Sequence, residues 1–206
     1  MCMAFSFFFS ALTPWLLLVW FFQKVSLKKR LLFLGKGTAL FLLSLLAVGI
    51  LLLPVGGLSV VRWVASFSSN FSIPLSGILV VAIMEESFSW RLFSPTDWKT
   101  TWLFGSVASL VLYPSALGLG QIDAYSWGWG CGPVLIVVAL LCIILLWTKN
   151  RLGILLLLSL AAFTMSLQES TNFWDYLVDP IYGVLSIGAL LERWLAQSKP
   201  KKKKRN

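Results

Sequence analysis

Long apolar runs separated by short polar breaks set the pattern of this chain. They fall at residues 4–22, 35–56, 102–120, 132–147, 152–167 and 181–195, with a weaker run at 73–90. Runs of this length, almost without charge, predict helices able to cross a hydrocarbon core roughly 30 Å thick. Between the second and third runs, Val60, Val61, Trp63, Val64 and Phe67 recur at spacings of three and four, which predicts a short amphipathic helix.

The 73–90 run is the ambiguous one. Its apolar part, Ile73 to Met84, covers only about 18 Å as a helix before it meets Glu85 and Glu86. It either extends through Trp90 or forms a hairpin, which its β-branched stretch also permits. Charge placement favours crossing. With that run counted, the basic clusters at Lys24–Arg30, Arg91 with Lys99, Lys149 with Arg151, and Lys199–Arg205 all fall on one side. The expected fold class is therefore all-α, a polytopic transmembrane helical bundle of about seven spans, or six if 73–90 does not cross. Its N-terminus would be outside and its C-terminus inside. Residues 1–198 form one such domain, and 199–206 form a disordered polybasic tail.

Composition agrees with that reading. The chain is 58% hydrophobic and 12% charged, against about 25% charged in ordinary soluble domains. The net charge of +9 lies beside the apolar runs and not on a nucleic-acid-binding face, so nucleic acid is not an expected partner. The expected partners are the lipid bilayer, other envelope membrane proteins, and anionic headgroups at the tail. A bacterial inner membrane is the expected location. The Lys203-Lys204-Arg205 ending resembles a dilysine retrieval motif, which makes the endoplasmic reticulum the alternative.

Chemistry is constrained by what is missing. There is no histidine, which removes imidazole bases and His-ligated metals, and Cys2, Cys131 and Cys142 have no CxxC spacing. No cofactor is expected. Glu85-Glu86 followed by Arg91 resembles the Glu-Glu-x-x-x-Arg motif of the CAAX-protease and bacteriocin-processing family. Four residues separate Glu86 from Arg91 instead of three, and the histidines that family requires are absent, so its activity is not implied. The bland expectation is that both glutamates pair with Arg91 or Lys99. The functional one is a carboxylate pair handling protons or cations.

The densest polar stretch is Gln168 to Pro180. Its Glu169, Asp175 and Asp179, with Asp123, are the weak catalytic candidates. If they converge, they form either an oxygen-ligand cation site or an acid–base pair. Asp179-Pro180 also reads as a helix N-cap followed by Pro at the first helical position. Tyr125 to Gly132 alternates glycine and tryptophan, which predicts flexible backbone carrying interfacial aromatic rings. Of three function classes, the expected one is a non-enzymatic accessory or scaffold component of the cell envelope, because no motif of adequate specificity supports the alternatives: a small transporter or ion-handling membrane protein, or a membrane enzyme acting on lipid or glycan at the outer face through its carboxylate cluster.

Overall fold

Helix starts in this chain are written in Ser-Pro, Gly-Pro and Asp-Pro pairs, and those pairs decide where the apolar runs become helices. The computed structural model describes residues 2–25, 35–119 and 121–198, with side chains from residue 10 onward. The basic residues Lys28, Lys29 and Arg30, the Cys2 side chain and the tail 199–206 lie outside the described residues.

Nine α-helices form among the described residues. The first two are α1, Cys2–Lys24, and α2, Lys36–Leu52. Strands β1, Pro54–Val55, and β2, Leu58–Ser59, then make a two-residue hairpin. Its turn residues Gly56 and Gly57 have φ of 59° and 86°. Two successive positive φ values are what such a turn demands and what glycine supplies without strain.

Helix α3, Val60–Phe67, is the expected amphipathic segment. Helix α4, Ile73–Phe88, begins at Ser72, whose side chain accepts from Leu75 N at 3.3 Å, and ends at Ser89 in the left-handed region. The ambiguous run is therefore helical, and no hairpin forms there. Helix α5, Pro95–Ala116, is opened by a capping box in which Ser94 and Asp97 bond each other's backbone N–H. Helices α6, Pro133–Trp147, and α7, Leu152–Thr164, are joined by a tight turn. In that turn Lys149 takes φ 57°, and the N–H groups of Asn150 and Lys149 reach Leu145 O and Leu146 O. This is a Schellman closure, which satisfies carbonyls left over at the end of α6. Helix α8, Phe173–Leu177, is a single turn, and α9, Pro180–Ser198, is the last.

Polar side chains fix the register of apolar faces. Helix α1 runs parallel to α4, pinned by Thr13 Oγ1 to Ser76 Oγ at 2.7 Å and by Gln23 Nε2 donating to Ser87 Oγ at 2.7 Å. Helices α5 and α9 approach through small residues. A Cβ on Gly105 would lie 2.2 Å from Ser186 Oγ, and one on Gly183 would lie 2.4 Å from Ser109 Oγ. At the centre sit Leu75, Leu152, Leu156, Phe173, Tyr176, Leu177 and Tyr182, all without exposed surface.

The transmembrane bundle expected from the apolar runs is not supported. Among the described residues no helix is long and apolar enough to cross a membrane. The runs overstate the helices. Residues 35–56 break at Leu53 into the hairpin, and 152–167 stop being helical at Thr164. Helices α2, α4, α6 and α7 have 17, 16, 15 and 13 residues, or roughly 20–26 Å against a core of about 30 Å. Helix α5 has the length but carries Asp97, Lys99, Thr101, Ser106 and Ser109, while α9 carries Glu192 and Arg193. The count of spans, the N-out/C-in orientation and the multi-pass transmembrane reading built on them lose their basis together.

Candidate functional site

Asp179 is the best-connected carboxylate in the chain. Through Oδ1 it accepts from Ile181 N at 2.9 Å and Tyr182 N at 3.0 Å, so it is the N-cap of α9. Through Oδ2 it accepts from Ser72 N at 2.9 Å and Ser72 Oγ at 2.5 Å. Since Ser72 caps α4, one carboxylate serves the positive ends of two helices. It is 3% exposed. Burial pushes its pKa above the ordinary aspartate value, and the hydrogen bonds from Ser72, Tyr182 and Ile181 offset part of that rise.

Asp175 is half-buried one helical turn earlier. Its Oδ2 accepts from Ser170 Oγ and from Tyr125 Oη, the latter at 3.2 Å. The neighbouring Asn172 ties the same two segments. Its Nδ2 donates to Tyr125 O at 2.9 Å, its Oδ1 accepts from Trp174 N at 3.0 Å, and Trp174 Nε1 donates to Ala124 O at 2.8 Å. The Tyr125–Gly128 turn is thus fastened to residues 170–175. A Cβ on Gly128 would lie 2.0 Å from Asn172 Oδ1. Glycine is there for close approach, and the expectation of flexible backbone is corrected at that position.

Gln168 closes the far end of the segment. Its Nε2 donates to Phe71 O at 2.6 Å, while its backbone N–H donates to Tyr176 Oη at 3.2 Å.

These contacts frame a cavity of about 350 Å³ whose walls include Asn70, Tyr113, Tyr125, Asp175 and Asp179. Burial, with the charges of Asp179 and Asp175, raises the pKa of Tyr113, which keeps its hydroxyl protonated. A second cavity of about 310 Å³ adjoins it, lined by Val60, Trp63, Val64, Phe71 and Ile181. The two share Phe67, Ser68, Asp179 and Pro180 along their common edge.

Of the four carboxylates singled out in the sequence, the fold brings only Asp175 and Asp179 to this cavity. Asp123 is exposed and accepts from Ser126 N at 3.2 Å at the Tyr125–Gly128 turn, and Glu169 is exposed. Among the described residues no group of three or more Asp, Glu, Cys or His side chains forms that could hold a metal ion, so the expected oxygen-ligand cation site does not assemble. The glutamates of α4 also differ from expectation. Glu86 pairs with Lys24 at 3.5 Å, and Glu85 accepts from Phe93 N at 2.7 Å. Arg91 is exposed and forms no ion pair among the described residues.

Three residues escaped the sequence reading. Asp97 is 5% exposed and also accepts from Arg151 N at 3.1 Å. Burial pushes it upward, but the bonds from Ser94 and Arg151, with the Arg151 charge, outweigh that and leave its pKa below the usual value. The spacing Ser94-Pro-Thr-Asp97 carries that information as a capping box. Ser72, one residue before the Ile73-Pro74 start, was likewise legible as a cap. Tyr113 left no trace, because only the fold brings it to the cavity. No protein-family model, curated protein or solved structure matches the chain.

Proposed function

We propose that this chain is a non-enzymatic structural component that works with its apolar helix faces against lipid acyl chains. The observation that carries the reading is the outer face of α6. There Ile136, Val137, Leu140, Ile143 and Ile144 are each 56–62% exposed, with no charged residue anywhere in the helix. Leu103, Val107, Leu110 and Val111 on α5, and Ile154, Leu157 and Leu158 on α7, are exposed as well. Covering a side chain already more than half exposed is worth on the order of 1 kcal/mol, so the α6 face alone gains about 5 kcal/mol from an apolar cover.

Lipid suits these faces better than a protein partner does. They are aliphatic without polar punctuation, whereas protein interfaces carry a polar rim. At the end of α6, Trp147 is 86% exposed and is followed by the exposed Lys149 and Arg151. Indole and basic side chains in that order match the headgroup level of a lipid surface. The carboxylates support a structural role. Asp97, Asp123, Asp175 and Asp179 each cap a helix or fasten a turn.

The test is flotation of the purified chain with phosphatidylcholine vesicles, read together with quenching of tryptophan fluorescence by lipids brominated along the acyl chain. Co-flotation with strong quenching is expected. Ile136→Lys with Ile143→Lys, seven residues apart on one helix face, should weaken both. A chain that stays monodisperse in buffer without lipid or detergent, and does not float, would sink the reading.

A further inference from the structure

We infer that the two adjoining cavities form one binding site for an amphiphile with an ammonium head and a short apolar arm. The site is separate from the helix faces discussed above and does not depend on lipid covering them.

The head end is defined by charge. Neither cavity has a basic residue in its lining, and Asp175 and Asp179 form no ion pair among the described residues. Asp179 has both oxygens filled by backbone and serine donors. Asp175 is different: its Oδ2 takes both of its bonds, and its Oδ1 accepts none among the described residues. In the same wall, the side-chain oxygen of Asn70 is buried and lacks a hydrogen-bond partner. The open acceptor on Asp175, in a wall that holds two carboxylates and no basic residue, calls for a ligand that carries N–H donors and positive charge. An anion would meet two carboxylates and no cation. Tyr113 and Tyr125 supply aromatic walls, which favour an ammonium over a neutral head.

The arm end is defined by the second cavity. Its walls are Val60, Val64, Trp63, Phe67, Phe71 and Ile181, and it shares Phe67, Ser68, Asp179 and Pro180 with the first. Each volume alone sits at the low end for a small-ligand pocket, roughly 300–1,000 Å³. A single molecule spanning both explains why an acidic and an apolar cavity share an edge. Every methylene seated in the apolar half should tighten binding roughly fourfold.

The experiment is isothermal titration of the full chain in neutral maltoside with octylamine, octanol and ethylamine, each below its own micelle concentration, with blank micelles subtracted. Octylamine is expected to bind about tenfold or more tighter than either of the other two, since it alone fills both halves. Asp175→Asn should erase the preference of amine over alcohol. Val64→Trp, which fills the apolar half, should bring octylamine down to the level of ethylamine and leave ethylamine unchanged. Equal binding of octylamine and octanol by the unaltered chain overturns the assignment of the head. Equal binding of octylamine and ethylamine overturns the arm. If Asp175→Asn does not fold, those two comparisons and Val64→Trp still decide. Neither outcome bears on vesicle flotation, so failure here is distinguishable from failure of the lipid reading.

Discussion

Replacing Asp179 by alanine tests the arrangement that positions both cavities. The substitution removes the acceptor of four hydrogen bonds at once: Ile181 N and Tyr182 N at the start of α9, and Ser72 N and Oγ at the start of α4. Loss of an N-cap costs about 1 kcal/mol. The Ser72 N–H, fully buried with its residue at 0% exposure, is left unpaired for about 1–3 kcal/mol more. Release of a buried carboxylate returns part of this, so a net loss of about 2–3 kcal/mol is expected. The assay is a double-mutant cycle with Ser72→Ala, followed by urea unfolding in neutral detergent with the slope checked for constancy. The serine hydroxyl and the carboxylate touch directly at 2.5 Å, so the two changes should couple by about 1–2 kcal/mol. Two effects that simply add, to within about 0.3 kcal/mol, would mean that the carboxylate does not hold the two helix ends together.

Two further outcomes follow from the same geometry. Gly105→Ala would put a Cβ 2.2 Å from Ser186 Oγ and 2.7 Å from Tyr182 Cζ, with the Tyr182 hydroxyl already tied to Thr101 O at 2.7 Å, so a loss of about 1–3 kcal/mol is expected in thermal unfolding. Gly188→Ala, with nothing within 4 Å, is the control and should gain up to about 1 kcal/mol; equal effects at the two sites would refute close packing of α5 on α9. For pH, burial is the largest influence on Asp179 and raises it, so the folded chain keeps this proton at pH values where the unfolded chain, titrating near 3.8, has lost it. The contribution of that proton is fully present below pH 3.8 and is lost as pH rises through the raised value, so the stability of the unaltered chain relative to Asp179→Asn should fall across that window; a rise would refute the shift.

Much of the helix placement was legible in the sequence, because Pro at the first or second helical position follows Ser72, Ser94, Gly132 and Asp179. The cap function of Asp179 could be read from two adjacent letters. The partner on the other oxygen could not, since Ser72 lies 107 residues away and nothing local to either residue names the other. The error in helix length has a physical cause. Apolar letters report where leaving water is favourable, but the backbone turned at Leu53–Gly57 and again after Thr164 without leaving the apolar run. Leu167 looks like helix by composition, yet its N–H bonds Ala162 O in a closing turn. Of the four carboxylates grouped in the sequence, Asp175 and Asp179 are four residues apart and line one cavity. Asp123 and Glu169 were grouped with them by sign alone.

The Ser72–Asp179 contact also bears on the order in which the molecule is assembled. A chain emerging from the ribosome presents Ser72 long before Asp179 exists, and the first four helices must wait for the ninth to satisfy the N–H at the head of α4. Pairings this distant in sequence form late, because a long loop must close before any contact repays its entropy. Until then, the apolar faces of α1, α2 and α4 have only each other and whatever the cell supplies to shield them. A chain truncated before residue 179 therefore keeps the sequence of its first apolar helices but lacks the carboxylate that accepts from Ser72 N and Oγ at the head of α4.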